Sequence, residues 1–480
     1  MNRKMVVYIL GGVLSIEALL MLLPIITGLI YREKSVIWFF ITAAACALTG
    51  ILLSRKKPAD QKLYTREGFV SVALSWVVLS IFGAMPFYLS GEIPHFTDAF
   101  FETVSGFTTT GASILPDVEK LSKCMLFWRS FTHWIGGMGV LVFVLAILPM
   151  AGAQNIHILR AESPGPSVGK LVPKVGSTAK ILYGLYLVLT VLEQILLLAG
   201  GMPLFDALCV SFGTAGTGGF AVTNAGLGGY SMYLQGVASV FMVLFGVNFN
   251  VYFLLYARKP KDALKSEEAR VYLLIILASA LMITWNSRHF FSSLFESFHH
   301  SLFQVASIMT TTGFSTTDFN QWPSLSKAIL VLLMFVGACA GSTGGGIKVS
   351  RITILVKTVL KEMASMIHPN SVKIIKMEGK PVEHNVLRSI NTYLATYIMI
   401  FVASLLIVCL DRFDLTTSFT AIAATFNNIG PGLEMVGPTC HYGEFSDLAK
   451  YVMIFDMLAG RLELFPLVLL FSVRTWRKQL

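Results

Sequence analysis

Long apolar stretches separated by short polar segments dominate the hydrophobic pattern of this chain. A helix rises about 1.5 Å per residue, so each stretch is long enough to cross about 30 Å of hydrocarbon as a helix, although the seventh stretch is short. The stretches cover approximately residues 5–30, 35–53, 69–89, 124–149, 181–199, 235–256, 271–285, 328–355, 391–410 and 450–472. The pattern therefore predicts an all-α polytopic membrane protein with ten transmembrane helices.

A short phrase rich in Thr and Gly occurs four times. Its copies are TTTGAS at 108–113, GTGGFA at 216–221, TTTGFS at 310–315 and NNIGPG at 427–432. Each copy follows a short stretch of helical pattern and lies between two long apolar stretches. Internal repeats fix the architecture of a chain, so we expect four parallel helix/pore-loop/helix repeats around one central pore, with an N-terminal helical hairpin outside them.

The four repeats divide the chain into segments. The boundaries are 1–60 for the two-helix hairpin, 61–160 for repeat 1, 161–265 for repeat 2, 266–365 for repeat 3 with an intramembrane gating loop, and 366–480 for repeat 4. The pore helices are predicted to begin at Asp98, Asp206, His300 and Thr417. Asp and Thr are favourable N-cap residues, so three of the four helices have a recognisable start.

The repeated phrase suits a cation because of its backbone chemistry. A filter that removes water from an ion offers a ring of carbonyl oxygens, which can all point inward only where the chain adopts dihedrals that glycine tolerates. Each repeat supplies one such residue, namely Gly111, Gly219, Gly313 and Gly430. The preceding helix also directs its partially negative C-terminal end at the ion. One such hexapeptide is typical of ordinary loops, but four in the same context favour an ion pathway.

Residues 337–346 contain five glycines and interrupt the exit span of the third repeat. At close to 1 kcal/mol per glycine relative to alanine, this segment cannot remain a stable helix. A phosphate-binding loop is disfavoured because Gly346 is followed by Ile347 and Lys348. A passive kink between packed helices is an alternative, and a gate is the preferred interpretation. Smaller breaks are predicted near Gly136, Gly246 and Gly460.

Arg461 lies within the last apolar stretch, where a cation is costly and generally has a partner in an interior cavity. The candidate partners are Asp456, Glu463 and the carbonyl groups of the glycine-rich loop. A structural salt bridge is one interpretation. In the other, Arg461 adds a positive barrier beneath the filter and holds the loop closed. His133 and Glu193 are interpreted as structural.

Composition and charge support a membrane protein. The 480 residues are 55% hydrophobic and 13% charged, with a mean hydropathy of +0.69. The formal net charge is +10, and the predicted topology places most of the 37 Lys and Arg residues on one side. By the positive-inside rule both termini are cytoplasmic, and the basic balance indicates orientation in the lipid bilayer rather than nucleic-acid binding. No catalytic or metal-binding spacing of His, Cys, Asp or Glu occurs, so we expect no enzyme.

Taken together, these motifs resemble the Trk/Ktr superfamily of potassium transporters, and most closely the TrkH-type membrane subunit. The resemblance covers essentially the whole chain. Its matching stretches are 66–69, 98–111, 134–139, 160–165, 341–348, 427–432 and 460–463. The second and fourth phrases depart from the TTTG form, so the filter is not fourfold symmetric in its side chains.

The resemblance implies potassium uptake across a bacterial inner membrane, with K⁺ as the transported ion and no organic cofactor. It implies a homodimer with one pore per protomer, and a cytosolic RCK-type, TrkA-like regulatory ring that binds ATP/ADP or NAD(H). The implied filter residues are Thr109, Thr110, Gly111, Thr217, Gly218, Gly219, Thr311, Thr312, Gly313, Asn428, Ile429 and Gly430. The expected gate comprises Gly341, Ser342, Thr343, Gly344, Gly345, Gly346, Lys348 and Arg461. A proton- or sodium-coupled symporter with alternating access remains the alternative.

Overall fold

A computed structural model describes residues 1–60, 64–151, 175–369 and 374–476. In this part the chain is mostly helical. The helices are α1 Arg3–Leu20, α2 Leu22–Tyr31, α3 Val36–Ser54, α4 Thr65–Ser90, α5 Phe96–Phe107, α6 Lys123–Ala151, α7 Val175–Ala199, α8 Leu204–Gly216, α9 Met232–Gly246, α10 Phe249–Tyr256, α11 Pro260–Leu264, α12 Glu267–Ser287, α13 Leu294–Met309, α14 Ser324–Val336, α15 Val349–Ile367, α16 His384–Val408, α17 Leu415–Phe426, α18 Asp447–Arg461, α19 Phe465–Phe471 and α20 Val473–Trp476. The strands β1 Lys376–Met377 and β2 Lys380–Pro381 form an antiparallel hairpin, a small exception to the all-α prediction.

Membrane-spanning helices are present as the apolar pattern predicts. Among the described residues, six helical stretches are long and apolar enough to cross a membrane: Arg3–Tyr31, Val36–Ser54, Arg66–Ser90, Ile181–Ala199, Glu267–Phe290 and His384–Asp411. The pair α9 and α10, bent by 89°, makes a seventh if it is one span. The prediction of a helical polytopic membrane protein is confirmed. The count of ten spans, the arrangement in four repeats and the segment boundaries stay predictions.

The N-terminal hairpin packs tightly and is joined by hydrogen bonds to the start of α6. A Cβ atom on Gly11 of α1 would lie 2.8 Å from the carbonyl oxygen of Gly50 in α3, so the two helices touch main chain to main chain. Between them, Glu33 accepts hydrogen bonds from the backbone N–H groups of Lys123 at 2.6 Å and Cys124 at 2.9 Å. This carboxylate satisfies exposed donors at the start of α6.

The four short helices α5, α8, α13 and α17 precede the repeated phrases, but all four begin earlier than predicted. Their N-cap residues are His95, Pro203, Ser293 and Asp414. Asp98 and Asp206 lie in the first turn, a position the helix dipole favours for carboxylates as well. The third helix has a capping signal that the sequence analysis overlooked, since Ser293 accepts a hydrogen bond from the N–H of Glu296.

The predicted breaks take different forms. The helix α6 continues through Gly136, where a Cβ atom would lie 1.9 Å from the carbonyl oxygen of Phe107, so glycine here allows close packing rather than a break. In contrast, α9 ends at Gly246 and the chain turns sharply into α10. The third interruption separates α14 from α15, and the fourth follows Arg461 at the end of α18.

Candidate ion-binding ring and glycine-rich segment

The four loops that follow the short helices share one backbone pattern. The second residue of each phrase has a positive φ, and none of these residues is glycine: Thr109 at 55°, Thr217 at 55°, Thr311 at 61° and Asn428 at 56°. The fourth residue is a glycine with positive φ: Gly111 at 80°, Gly219 at 72°, Gly313 at 87° and Gly430 at 95°. A β-branched residue rarely adopts positive φ, and such strain costs about 1–3 kcal/mol per residue. Three threonines in the same unusual conformation indicate a constrained functional backbone.

Each loop ends its helix in the same way. The N–H of the third residue in the phrase donates to the carbonyl five residues earlier, in a Schellman-type termination. The four bonds are Thr110 to Ser105 at 2.9 Å, Gly218 to Gly213 at 2.8 Å, Thr312 to Ser307 at 2.8 Å and Ile429 to Ala424 at 2.8 Å. The loops therefore have the same local hydrogen-bonding geometry despite their different side chains.

The four loops touch one another in a closed cycle. A Cβ atom on Gly111 would lie 2.0 Å from the carbonyl oxygen of Gly218, and the next three contacts continue in chain order. The distances from a Cβ atom on the glycine to the carbonyl oxygen of the next loop are 2.0 Å for Gly219 and Thr312, 2.1 Å for Gly313 and Ile429, and 2.7 Å for Gly430 and Thr110. Each glycine thus lies against a main-chain carbonyl of the next loop. All twelve residues expected in the filter belong to this one assembly, which we call the ring.

A cavity of about 130 Å³ lies on one face of the ring. Residues of all four loops line it, including Gly111, Gly219, Gly313 and Gly430. Arg129 of α6 also lines it, but its charge is compensated, because its Nε donates to Glu102 at 2.6 Å and its Nη1 donates to the carbonyl of Ala221 at 2.9 Å. The cavity therefore has a charged residue in its lining whose charge is already paired.

Hydrogen bonds join the chain segments that follow the first and second loops, beside this cavity. Asn224, which follows the second loop, donates from Nδ2 to Asp117 at 2.8 Å and accepts from the N–H of Val118 at 2.9 Å. The bond from Asn224 lowers the pKa of the exposed Asp117 carboxyl, and nearby Lys120 contributes to the same shift. The connections that follow the first and second loops are thus joined outside the ring as well.

Residues 337–348 fold back on themselves between α14 and α15. The N–H of Lys348 donates to the carbonyl of Val336 at 3.1 Å, so the two ends of the segment meet. Its middle lies against the third loop, where the N–H of Gly345 donates to Oγ1 of Thr311 at 2.6 Å. A Cβ atom on Gly344 would lie 2.8 Å from the carbonyl oxygen of Thr310. The glycine-rich segment therefore lies directly beside the ring.

Two buried cations hold the middle of this segment. Arg461 donates from Nη1 to the carbonyl of Thr343 and from Nη2 to the carbonyl of Gly136, both at 2.7 Å. The Nζ of Lys348 donates to the carbonyls of Gly344 and Gly345. The carbonyl groups of the glycine-rich loop, one of the three candidates, thus include a partner of Arg461.

The two acidic candidates have other partners. Glu463 forms an ion pair with Arg351, and Asp456 accepts a hydrogen bond from Ser404 at 2.8 Å. The stretch 160–165, which also supported the family resemblance, lies outside the described residues. Among the described residues, no group of three or more His, Cys, Asp or Glu side chains could hold a metal ion.

Glu268 is a contact of the segment that the sequence analysis missed. Its Oε1 accepts from the N–H of Ala340 at 2.7 Å and from the N–H of Ser350 at 3.1 Å, so one carboxylate spans both sides of the glycine-rich turn. The side chain is buried, and the nearby Nδ2 of Asn248 lies 3.4 Å from its Oε2. In the sequence, Glu268 follows Glu267 in the first turn of α12, which is typical of an ordinary helix start.

The helical membrane fold and the cycle of four loops are typical of polytopic membrane proteins that transport cations. A family model described as "TrkH: Cation transport protein" matches residues 34–478. The chain belongs to this TrkH family, as the resemblance in its motifs predicted. The family consists of transporters, which confirms the expectation that the chain is not an enzyme.

Two curated relatives and one solved structure are similar over nearly the whole length. "Trk system potassium uptake protein TrkH" of Vibrio parahaemolyticus is 36% identical, covering 99% of this chain and 100% of the relative. The protein of the same name from Escherichia coli K12 is 35% identical, covering 100% of both chains. The crystal structure of the potassium transporter TrkH from Vibrio parahaemolyticus superposes with a TM-score of 0.90 at 34% identity, covering 99% of this chain and 100% of that chain.

Proposed function

We propose that this chain conducts potassium into the cell across a bacterial inner membrane, with the ring as its selectivity filter. The observation that carries the proposal is the closed cycle of the four loops, in which carbonyl groups and positive-φ residues recur at equivalent positions. Rings of carbonyl oxygens can replace the hydration shell of K⁺. The names of the relatives, which are potassium uptake proteins, supply the choice of ion.

In this proposal the four short helices and their flanking spans are equivalent repeats around one pore. The C-terminal end of each short helix meets the ring, so four partial negative charges favour a cation there. Irregular backbone at membrane depth is tolerated where it lines a water-filled cavity or is buried in protein. Of the twelve residues proposed for the filter, the four glycines line the cavity and the other eight are buried, which supports this condition.

The glycine-rich segment is proposed to be the gate. Its middle lies beside Thr311 and is held by Arg461 and Lys348, so a cation moving through the ring would meet both this main chain and two positive charges. The segment must move aside for conduction. Family resemblance extends the proposal to a homodimer whose gates are controlled by a cytosolic RCK-type ring that binds ATP/ADP or NAD(H), with both termini cytoplasmic.

Ion flux into proteoliposomes tests the proposed function. With an imposed potassium gradient, we expect K⁺ and Rb⁺ to enter, Na⁺ to enter much more slowly, and the reversal potential to follow the K⁺ gradient alone. Liposomes without protein give the background. A reversal potential that shifts with the H⁺ or Na⁺ gradient would identify the coupled symporter instead, and the absence of any alkali-cation flux would contradict both.

A further inference from the structure

The four loops differ in how their side chains support the backbone. In the first loop, Oγ1 of Thr108 lies 2.8 Å from Oγ1 of Thr110, and in the third loop Oγ1 of Thr310 lies 2.7 Å from Oγ1 of Thr312. These hydroxyl pairs join the first and third residues of each phrase across its strained second residue. The first and third loops thus stabilise their own conformation.

The second loop lacks both side chains, because its corresponding residues are Gly216 and Gly218. The space beside them is filled by His133 of α6. A Cβ atom on Gly218 would lie 2.2 Å from Nδ1 of His133, with the other ring atoms next nearest, and a Cβ atom on Gly216 would lie 2.2 Å from the carbonyl oxygen of His133. The position that holds Thr110 or Thr312 elsewhere is therefore occupied here by an imidazole from another helix.

The hydrogen bonds of His133 connect two neighbouring loops. Its Nδ1 lies 2.8 Å from the carbonyl oxygen of Gly106, in the last turn of α5, and its Nε2 accepts from the N–H of Phe220 at 3.3 Å. Since a carbonyl can only accept and an N–H can only donate, these partners define a neutral ring with the proton on Nδ1. The ring also packs on Phe220, with 4.2 Å between centroids. His133 thus joins the end of the first pore helix to the residue after Gly219.

We propose that His133 is a positioning residue of the filter. It replaces the missing hydroxyl pair of the second loop, holds the carbonyl of Gly218 in place against Gly111, and so contributes to the preference for K⁺ over Na⁺. The inference rests on the proposed function of the ring. In this proposal, Gly216 and Gly218 lack side chains because the imidazole occupies the space beside them, and they do not serve to make the loop flexible.

A double-mutant cycle between His133 and Gly218 tests this directly. Gly218 does not have a positive φ, so Gly218→Ala introduces a clash with the imidazole without backbone strain. We expect each single variant, His133→Ala and Gly218→Ala, to lower the K⁺/Na⁺ flux ratio about tenfold, equivalent to losing roughly one buried hydrogen bond. The double variant should recover most of the ratio, because the new methyl group enters the space that the ring has left.

The controls separate positioning from folding. Gly236→Ala lies in the same repeat, where a Cβ atom would have no neighbour within 4 Å, and should leave the ratio unchanged. Flux is measured per amount of monodisperse protein, since a purely structural role would scale K⁺ and Na⁺ flux together. Additive single effects, or an unchanged ratio in Gly218→Ala, would overturn the inference.

Two further outcomes remain decisive. If His133→Ala gives no folded protein, His133→Gln takes its place: it keeps a donor and an acceptor, so its ratio should stay close to the unmodified value, and a tenfold loss there would contradict the positioning role. If the unmodified protein itself shows no preference for K⁺, the proposed function fails. A selective unmodified protein with an additive cycle would overturn only the role of His133.

Discussion

The ring and the glycine-rich segment are both rich in glycine and lie side by side, yet they are held in opposite ways. In the ring, each strained residue is fixed by main-chain bonds to the end of its own helix. In the middle of the segment, the main chain is held by the side chains of Arg461, Thr311 and Glu268, together with its own Lys348. Cys339 and Gly341 also form main-chain bonds, with Gly246 and Phe249. A change in the ring would require breaking these main-chain bonds, even where a side chain such as His133 also supports the loop. The segment can change when a few side chains move.

The largest effect is expected from breaking the ring. Gly313→Ala would add a methyl group 2.1 Å from the carbonyl oxygen of Ile429, at a φ of 87° that Ala adopts poorly. We expect the K⁺/Na⁺ flux ratio to fall by at least about tenfold as that carbonyl is displaced. Gly379→Ala is the matched control, since Gly379 has a φ of 74° but no neighbour within 4 Å. A Gly313→Ala protein that keeps its selectivity would remove Gly313 from the filter.

An intermediate effect is expected from releasing the segment. Arg461→Gln removes the cation that bridges Thr343 and Gly136, and losing a charged hydrogen bond should raise basal K⁺ flux about tenfold without altering the K⁺/Na⁺ ratio. Flux is measured in proteoliposomes without any regulatory partner. Arg388→Gln changes an exposed arginine and serves as the control. Lower basal flux from a normally folded Arg461→Gln protein would contradict a restraining role.

The smallest effect is expected where the two regions touch. Thr311→Val keeps the shape of the side chain but removes the oxygen that accepts from Gly345, so basal flux should rise about threefold. Thr109→Val makes the same change at the equivalent position of the first loop, where no hydrogen-bond partner for Oγ1 is found within the described residues. Equal basal flux from the two variants would show that the contact between ring and segment does not restrain the segment.

The sequence predicted the loops because the same short phrase occurs four times. One TTTG phrase predicts little, but four copies between apolar stretches predicted four loops, and the structure brings Gly111, Gly219, Gly313 and Gly430 into one assembly. The glycine content of residues 337–346 likewise predicted the interruption between α14 and α15. Both features depend on the local backbone conformation. The presence of glycine at particular positions in the sequence indicates that conformation directly.

The long-range contacts could not be predicted in the same way. Glu268 lies 72 residues before Ala340, and nothing in its local sequence distinguishes it from a common helix-start carboxylate. His133 was interpreted only as a structural residue, and its neighbours in space, Gly106 and Gly218, are remote in sequence. The sequence offered three candidate partners for Arg461 but could not select among them. Every residue has a backbone carbonyl group, so the residue type does not reveal which carbonyl accepts the hydrogen bond.

Having all four loops on a single polypeptide has a consequence for how such a conduit can evolve. In an assembly of four identical subunits, every substitution is made four times, so a loop cannot give up its side chains unless all of its copies can. Here a mutation enters once, and one loop can exchange its hydroxyl pair for an imidazole donated by α6 while the others are unaffected. Side-chain differences among the loops are thus permitted by their lying on one chain.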